Sequence, residues 1–224
     1  MSKMKAILCD LDGTLIDSSE GITKSAQYAL KHFGIEVSDL DTLKIFIGPP
    51  LMYSFTNRYH FSEEQAREAV LVYRERYNVI GIFECSLYPH VRECVEELKQ
   101  KGYRIGMASS KPEAACKRIL AHFDLLDLFD EVVGATPDGS IDTKEDVLKE
   151  LMRRWSDISV DEMCLIGDTM FDVEGANQVG IPSLVVSFGF GQVEEMLKAG
   201  AKAVCDDMIQ LPDLIEKVFE SYGK

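Results

Sequence analysis

Lys5-Ala6-Ile7-Leu8-Cys9-Asp10-Leu11-Asp12-Gly13-Thr14 is an apolar run that stops abruptly at two carboxylates one residue apart. Its length and the Asp12-Gly13 turn signal identify a buried strand followed by a sharp turn. Side chains alternate across a strand, so Asp10 and Asp12 project the same way if the extended geometry lasts that far, roughly 6–7 Å apart along the axis. Two like charges so placed repel, and the pair invites a bound cation or a raised pKa on one member. Either makes a reactive site, whereas by itself the stretch reads equally well as a strand ending in an ordinary Asp-Gly turn.

Working outward, Ser18-Ser19-Glu20 is followed by Ile22, Ala26, Ala29, Leu30 and Phe33 at helical spacing, with Ser18 as the capping residue and Gly34 as the stop. Helical segments continue over 39–46, 51–59 and 62–77, the last opened by the capping-box pattern Ser62-Glu63-Glu64-Gln65, and Gly48-Pro49-Pro50 separates the first two. The stretch 18–84 therefore reads as a small all-helical module. Beyond it, strands at 103–108, 131–134, 163–167, 183–186 and 203–205 alternate with helices at 91–101, 113–123, 144–155, 171–179, 193–199 and 211–222. Such alternation builds a doubly wound parallel sheet with helices on both faces. The expected architecture is one α/β core, residues 1–17 and 85–224, interrupted after its first strand by an inserted all-helical cap, residues 18–84. Ligands of such sheets bind at the carboxyl ends of the strands, near the reversal of strand order, and the cap is expected to act there as a lid.

The composition narrows the partners. A formal net charge of −14 argues against nucleic acid or an anionic membrane surface, and with 46% hydrophobic and 28% charged residues the chain is an ordinary globular one. No apolar run approaches a membrane span and no leader pattern precedes the first strand, so the cytoplasm is the expected compartment. The six cysteines form no Cys-x-x-Cys pair, which speaks against a zinc site or a disulfide framework. Oligomeric state is not legible.

Residue types suited to phosphoryl chemistry recur at strand ends: Asp10 and Asp12, then Ser109, then Asp168 with Asp172 on the next helix, while Lys144 opens an intervening helix. Taken singly, Ser109 reads as a helix cap, Lys144 as a solvated first-turn lysine, and Asp168 with Asp172 as favourable charge at a helix start. Together, four carboxylates, a hydroxyl and a lysine suit Mg²⁺, a hard cation that takes about six oxygen ligands, and they suit a phosphoryl group as well.

Asp10-Leu11-Asp12-Gly13-Thr14, Ser109, Lys144 and Gly167-Asp168-Thr169-Met170-Phe171-Asp172 resemble, in order, the four motifs of the haloacid dehalogenase superfamily in its phosphatase branch. The resemblance spans essentially the whole chain and, through Ser109-Ser110-Lys111-Pro112, is greatest to phosphoglycolate phosphatase-like enzymes. It implies a Rossmann-like core with a helical cap, and a Mg²⁺-dependent phosphatase acting on a small phosphorylated metabolite. It further implies that Asp10 is the nucleophile and that Asp12 is the acid and base, its backbone carbonyl on the metal. Asp168 completes the metal site with Asp10, and Asp172 is a further ligand or an orienting partner; Ser109, Ser110 and Lys144 bind phosphate. Gly48, Pro49, Tyr53, Arg58 and Lys111 are the candidate substrate contacts. A nucleoside monophosphate or a small sugar phosphate is the alternative substrate, and a non-catalytic binding or regulatory module on the same fold is the alternative of another class. Dehalogenase chemistry does not account for Asp12 with Asp168, and a phosphonate hydrolase needs a cap lysine for which Lys24 and Lys44 lie in unsuitable contexts.

Overall fold

The computed structural model describes residues 4–220. Along the chain, β1 (Ala6–Cys9) and the two-residue β2 (Ile16–Asp17) precede α1 (Ser19–His32), a 3₁₀ turn at Leu40–Phe46, α2 (Leu51–Tyr53) and α3 (Glu63–Tyr77). There follow β3 (Ser86–Leu87), α4 (Val91–Gln100), β4 (Arg104–Pro112), α5 (Glu113–His122), β5 (Glu131–Ala135) and α6 (Lys144–Arg154). The chain closes with β6 (Met163–Gly167), α7 (Met170–Val179), β7 (Ser183–Val186), α8 (Val193–Ala199), β8 (Val204–Cys205) and α9 (Leu211–Glu220). Residues up to Ile16 and from Leu87 form one compact unit, and Asp17–Ser86 forms the other. β2 and β3, at the two chain crossings, pair as a ribbon of their own.

The larger unit is a six-stranded sheet in the order β5-β4-β1-β6-β7-β8, and every pairing in it is parallel. β1 lies in the middle, with Ala6 to Cys9 beside Arg104 to Met107 on one side and Met163 to Ile166 on the other. Both faces are covered by helices, so all four residues of β1 and all five of β6 are buried, as the continuous apolar spelling of these strands requires. One face packs Leu8, Leu165, Val147, Leu148, Leu151 and Trp155 together, and Arg104 lays its guanidinium 4.4 Å from the Trp155 ring centre. Strand order reverses at β1, because the chain passes to β4 and β5 on one side and then crosses to β6, β7 and β8 on the other. The carboxyl ends of β4, β1 and β6 are therefore neighbours, and they carry Ser109, Asp10 and Asp168.

The smaller unit is helical. α3 is opened by a complete capping box, with Ser62 Oγ accepting from the Gln65 N–H and the Gln65 side chain accepting from the Ser62 N–H. Two expectations need correction. Ser18 occupies the position before α1, but its hydroxyl makes no capping bond and is buried without a partner; the Asp17 carboxylate accepts from the Ser19 N–H instead. The helix expected over 51–59 is three residues of α-helix widening into a π-helical turn at Ser54–Arg58, where Thr56 and Asn57 side chains bond back to the carbonyls of Met52 and Tyr53. No helix among the described residues is long and apolar enough to cross a membrane.

Candidate active site

Extended geometry in the first strand ends at Cys9, so the premise that Asp10 and Asp12 share a strand face fails. Beyond Asp10 the chain folds on itself: Leu11 C=O accepts from the N–H groups of Thr14, Leu15 and Ile16, and the Gly13 N–H reaches Ile16 C=O. Gly13 makes this turn possible. Its φ is +86°, and a Cβ there would lie 2.0 Å from Asp168 Oδ2.

The turn sends the two aspartates to different lysines. Lys144 Nζ donates to Asp10 Oδ1 at 2.7 Å and to the Ala108 carbonyl at 2.6 Å, and it pairs with Asp172 Oδ1 at 2.8 Å. Lys111 Nζ grips Asp12 through both oxygens, at 2.6 and 2.7 Å. Lys144 is therefore no solvated first-turn residue: it is 6% exposed and inside the site, while Thr143, Asp146 and a full capping box start its helix.

β4 runs through Ser109-Ser110-Lys111-Pro112, past its expected end, and its register against β5 slips between Ser109 and Pro112. Such an irregularity re-aims side chains at a strand end. Ser109 is buried and accepts from the Lys111 N–H, Ser110 is exposed, and the Lys111 side chain returns to the interior. Gly134 on β5 accommodates the slip, since a Cβ there would stand 2.4 Å from the Lys111 carbonyl oxygen. Ser109 does not cap α5, whose capping position is Pro112.

Asp10, Asp168 and Asp172 are all buried, and they can present carboxylate oxygens within 4.8 Å of one another. Asp172 doubles as the start of α7: its Oδ2 accepts from the Thr169 N–H and hydroxyl and from the Asp168 N–H. Asp168 is held by the Phe190 N–H at 2.8 Å on Oδ2 and by the Thr14 hydroxyl at 3.4 Å on Oδ1. These last two partners are the site residues that sequence reading missed. The available signal is the glycine-rich Ser187-Phe188-Gly189-Phe190-Gly191 directly after an apolar strand.

Three buried carboxylates lie around one ammonium here, which is too little positive charge to hold all of them in the usual carboxylate range. Burial pushes Asp10 up to about 6, against the pull of Lys144. Burial, then Asp172 and Asp10, holds Asp168 well above the usual carboxylate range. Burial also pushes Asp172 up, but Lys144 and the Thr169 donors outweigh it and leave this group low. Lys144 is raised although burial opposes its charge, because Asp10 and Asp172 flank it. Fully ionised, the cluster carries −3 + 1 = −2, and its donors are all oxygen, which is the donor set and charge of a hard divalent cation site.

Tyr53 and Arg58 are exposed, Gly48 has φ +98° in an exposed turn, and Pro49 is half-buried; all four belong to the helical unit. The six cysteines are free thiols, and burial pushes Cys9 up to about 12, so it is inert beside Asp10.

A family model for haloacid dehalogenase-like hydrolases matches residues 7–186. The chain is 37% identical to a 5'-nucleotidase of Pseudomonas aeruginosa over 94% of its own length and 95% of that protein's. It is 34% identical over 88% of its length to a protein of Mycobacterium tuberculosis named a tyrosine-protein kinase, of which it covers 67%. It is 28% identical to a phosphoglycolate phosphatase of Vibrio vulnificus, covering 95% and 96% of the two chains. Among solved structures, a protein of Clostridium acetobutylicum described as a predicted phosphatase superposes with a TM-score of 0.89 at 42% identity, over 98% of this chain and all of that one.

Proposed function

The chain belongs to the haloacid dehalogenase-like hydrolases, as an enzyme of their phosphatase branch, and from that premise we propose that it hydrolyses a small phosphomonoester by way of a phosphoryl group carried on Asp10. One observation carries the reading: a buried carboxylate at the end of the central strand, with Lys144 on one oxygen and two further carboxylates within reach. Lys144 occupies Asp10 Oδ1, which leaves Oδ2 to attack phosphorus as the bond to the leaving oxygen breaks. Asp12 gives that oxygen its proton. In the second half Asp12 takes a proton from water, the water oxygen attacks phosphorus, the bond to Asp10 breaks and inorganic phosphate leaves. Ser109 and Lys144 hold phosphoryl oxygens, with Ser110 beside them, and Lys144 offsets the repulsion between Asp10 and the incoming anion.

Asp10, Asp168, Asp172 and the Asp12 carbonyl would hold Mg²⁺, which supplies charge stabilisation for the phosphoryl oxygens. The oxygen donors and the net charge of the cluster fit it. The Phe190 N–H and the Thr14 hydroxyl, each on one Asp168 oxygen, would fix that carboxylate for this role. In the helical unit, read as a cap over residues 18–84, Gly48, Pro49, Tyr53 and Arg58 are the proposed selectors of the leaving group. The free thiols suit a reducing compartment, in keeping with a cytoplasmic enzyme acting on a phosphorylated metabolite.

A phosphoglycolate-like substrate is the first reading. A nucleoside monophosphate is the second, favoured by the Pseudomonas relative. The test is a panel of phosphomonoesters with Mg²⁺, run with wild type and Asp12→Asn. Wild type is expected to release phosphate from small esters; Asp12→Asn, given an aryl phosphate whose leaving group needs no proton, is expected to show a trapped phosphoryl adduct by intact mass. A folded, Mg²⁺-binding Asp12→Asn that never gains the adduct refutes the covalent route, and a stable phosphotyrosine product from ATP and a tyrosine peptide would replace hydrolysis by transfer.

A further inference from the structure

Gly175 stands in the middle of α7, buried and with an ordinary helical backbone. Glycine inside a helix costs stability relative to alanine, and no left-handed φ calls for it here. What it supplies is space. A Cβ at Gly175 would lie 2.6 Å from Lys144 Cγ and 2.7 Å from Lys144 Cβ, with the Glu145 N next at 3.3 Å. The first two separations fall about 1 Å short of ordinary carbon contact. The notch left in α7 is therefore filled by the aliphatic stem of Lys144. Gly175 also follows Asp172 by three positions, so the seat of the stem and one partner of its ammonium share a face of one helix.

Neither end of this lysine has slack. At its base, the Thr143–Asp146 capping box fixes the first turn of α6. At its tip, an ammonium has three donors, and they are matched by Asp10 Oδ1 at 2.7 Å, the Ala108 carbonyl at 2.6 Å and Asp172 Oδ1 at 2.8 Å. The two helices are held as well: Val147, Leu148 and Leu151 of α6 pack with Ala176 of α7, next to Gly175, in one buried cluster. They cannot part without opening that cluster, so a methyl group at 175 has to displace the stem. A stem displaced by about 1 Å to restore carbon contact cannot keep all three acceptors.

We propose that Gly175 is a positioning residue for phosphoryl transfer: its bare backbone seats the Lys144 stem, and the seat fixes the ammonium between Asp10 and Asp172. The catalytic consequence rests on the phosphatase reading above. The seat itself is a packing relation that can be measured without substrate. A misplaced Lys144 leaves Asp10 Oδ1 without its partner and the phosphoryl oxygens without their cation. Displacements of about 1 Å at a reacting centre cost about 10²-fold in rate, and here the loss falls on kcat.

The experiment is a double-mutant cycle on the full chain in Mg²⁺: wild type, Gly175→Ala, Lys144→Gly and the two combined, each read by urea denaturation and by turnover of an aryl phosphate. In the wild-type background Gly175→Ala is expected to lower stability, because the new methyl meets the stem. In Lys144→Gly, which has neither Cβ nor Cγ, the same change is expected to raise stability, as alanine does over glycine within a helix. Turnover is the second readout. Gly175→Ala, shown folded by near-ultraviolet circular dichroism, is expected to lose about 10²-fold in kcat, which destabilisation alone does not produce in molecules that remain folded. A Gly175→Ala variant that folds only when combined with Lys144→Gly demonstrates the seat in the same way as the change of sign. Failure of both to fold, an equal loss of stability in the two backgrounds, or a wild-type kcat in folded Gly175→Ala overturns the proposal. If wild type hydrolyses no phosphomonoester, the phosphatase reading falls, while the sign of the stability change still decides whether Gly175 seats Lys144.

Discussion

Asp10 and Gly13 are both tightly constrained: Lys144 holds Asp10 Oδ1 at 2.7 Å, and Asp168 crowds the space beside Gly13. By the proposed covalent route, Asp10→Asn removes the attacking oxygen as well as a partner of Lys144, and turnover of any phosphomonoester is expected to fall by about 10⁴-fold or more, as for a lost nucleophile elsewhere. Steady-state assay in Mg²⁺ checks this, and substantial residual turnover assigns the nucleophile elsewhere. Gly13→Ala changes no chemical group, yet it places a methyl 2.0 Å from Asp168 Oδ2 at a φ of +86°. It is expected to destabilise the fold by about 1–3 kcal/mol and to displace Asp168, so activity falls further than stability alone explains. Urea titration alongside kcat separates the two effects. Asp10 was legible from its neighbours in sequence. Lys144 was legible as a site residue only through the order of the motifs, since alone it reads as an ordinary first-turn lysine; its direct bond to Asp10 Oδ1, across 134 residues, was not legible.

Elements that merely carry the site make predictions of their own. α4 is preceded by His90 in the left-handed region at φ +62°, with Nδ1 2.7 Å from Asp207 Oδ1. The Asp207 hydrogen bond and charge raise His90 above its ordinary 6.5, and His90 holds Asp207 below the usual carboxylate range. The raised histidine contributes stability that is complete below pH 6.5 and lost as pH rises through its folded pKa. The lowered aspartate contributes above its ordinary 3.8 and loses this as pH falls through its folded value. The pair therefore acts between those limits. His90→Gly, which relieves the backbone, should lower the thermal midpoint relative to wild type at pH 5.5 and equal or raise it at pH 9; a difference that does not change with pH would show that the ion pair contributes nothing. In the helical unit, Ser62→Ala should cost about 1 kcal/mol through loss of the capping box on α3, read from chemical denaturation. That box is visible in four letters of sequence because its geometry is local. The π-helical turn at Ser54–Arg58 is invisible there, because side chains bonding back to the backbone compete with the ordinary helical ladder.

At the scale of the whole molecule, a chain of net charge −14 concentrates three carboxylates in one buried place, and a divalent cation should stabilise it well beyond ionic strength. Mg²⁺ at about a hundred times its dissociation constant adds about 2.7 kcal/mol. For a chain this long that is a rise of roughly 5–10 °C in thermal midpoint, absent with NaCl of equal ionic strength and absent in Asp168→Asn. An equal rise in Asp168→Asn places the cation elsewhere. The sequence by itself determined the parallel α/β architecture, the helical insertion after the first strand and the aspartates at strand ends. Burial on both faces writes each strand as a continuous apolar run, and such a run ends where its first polar residue meets solvent or ligand. Tertiary structure alone decided how those aspartates are divided between lysines. The turn at Gly13 ends the extended geometry before Asp12, the β4–β5 slip brings in Lys111, α6 delivers Lys144, and the loop after β7 sets the Phe190 N–H on Asp168. Each of these pairings joins residues 22 or more positions apart, and no local periodicity records which distant side chain a strand end will meet.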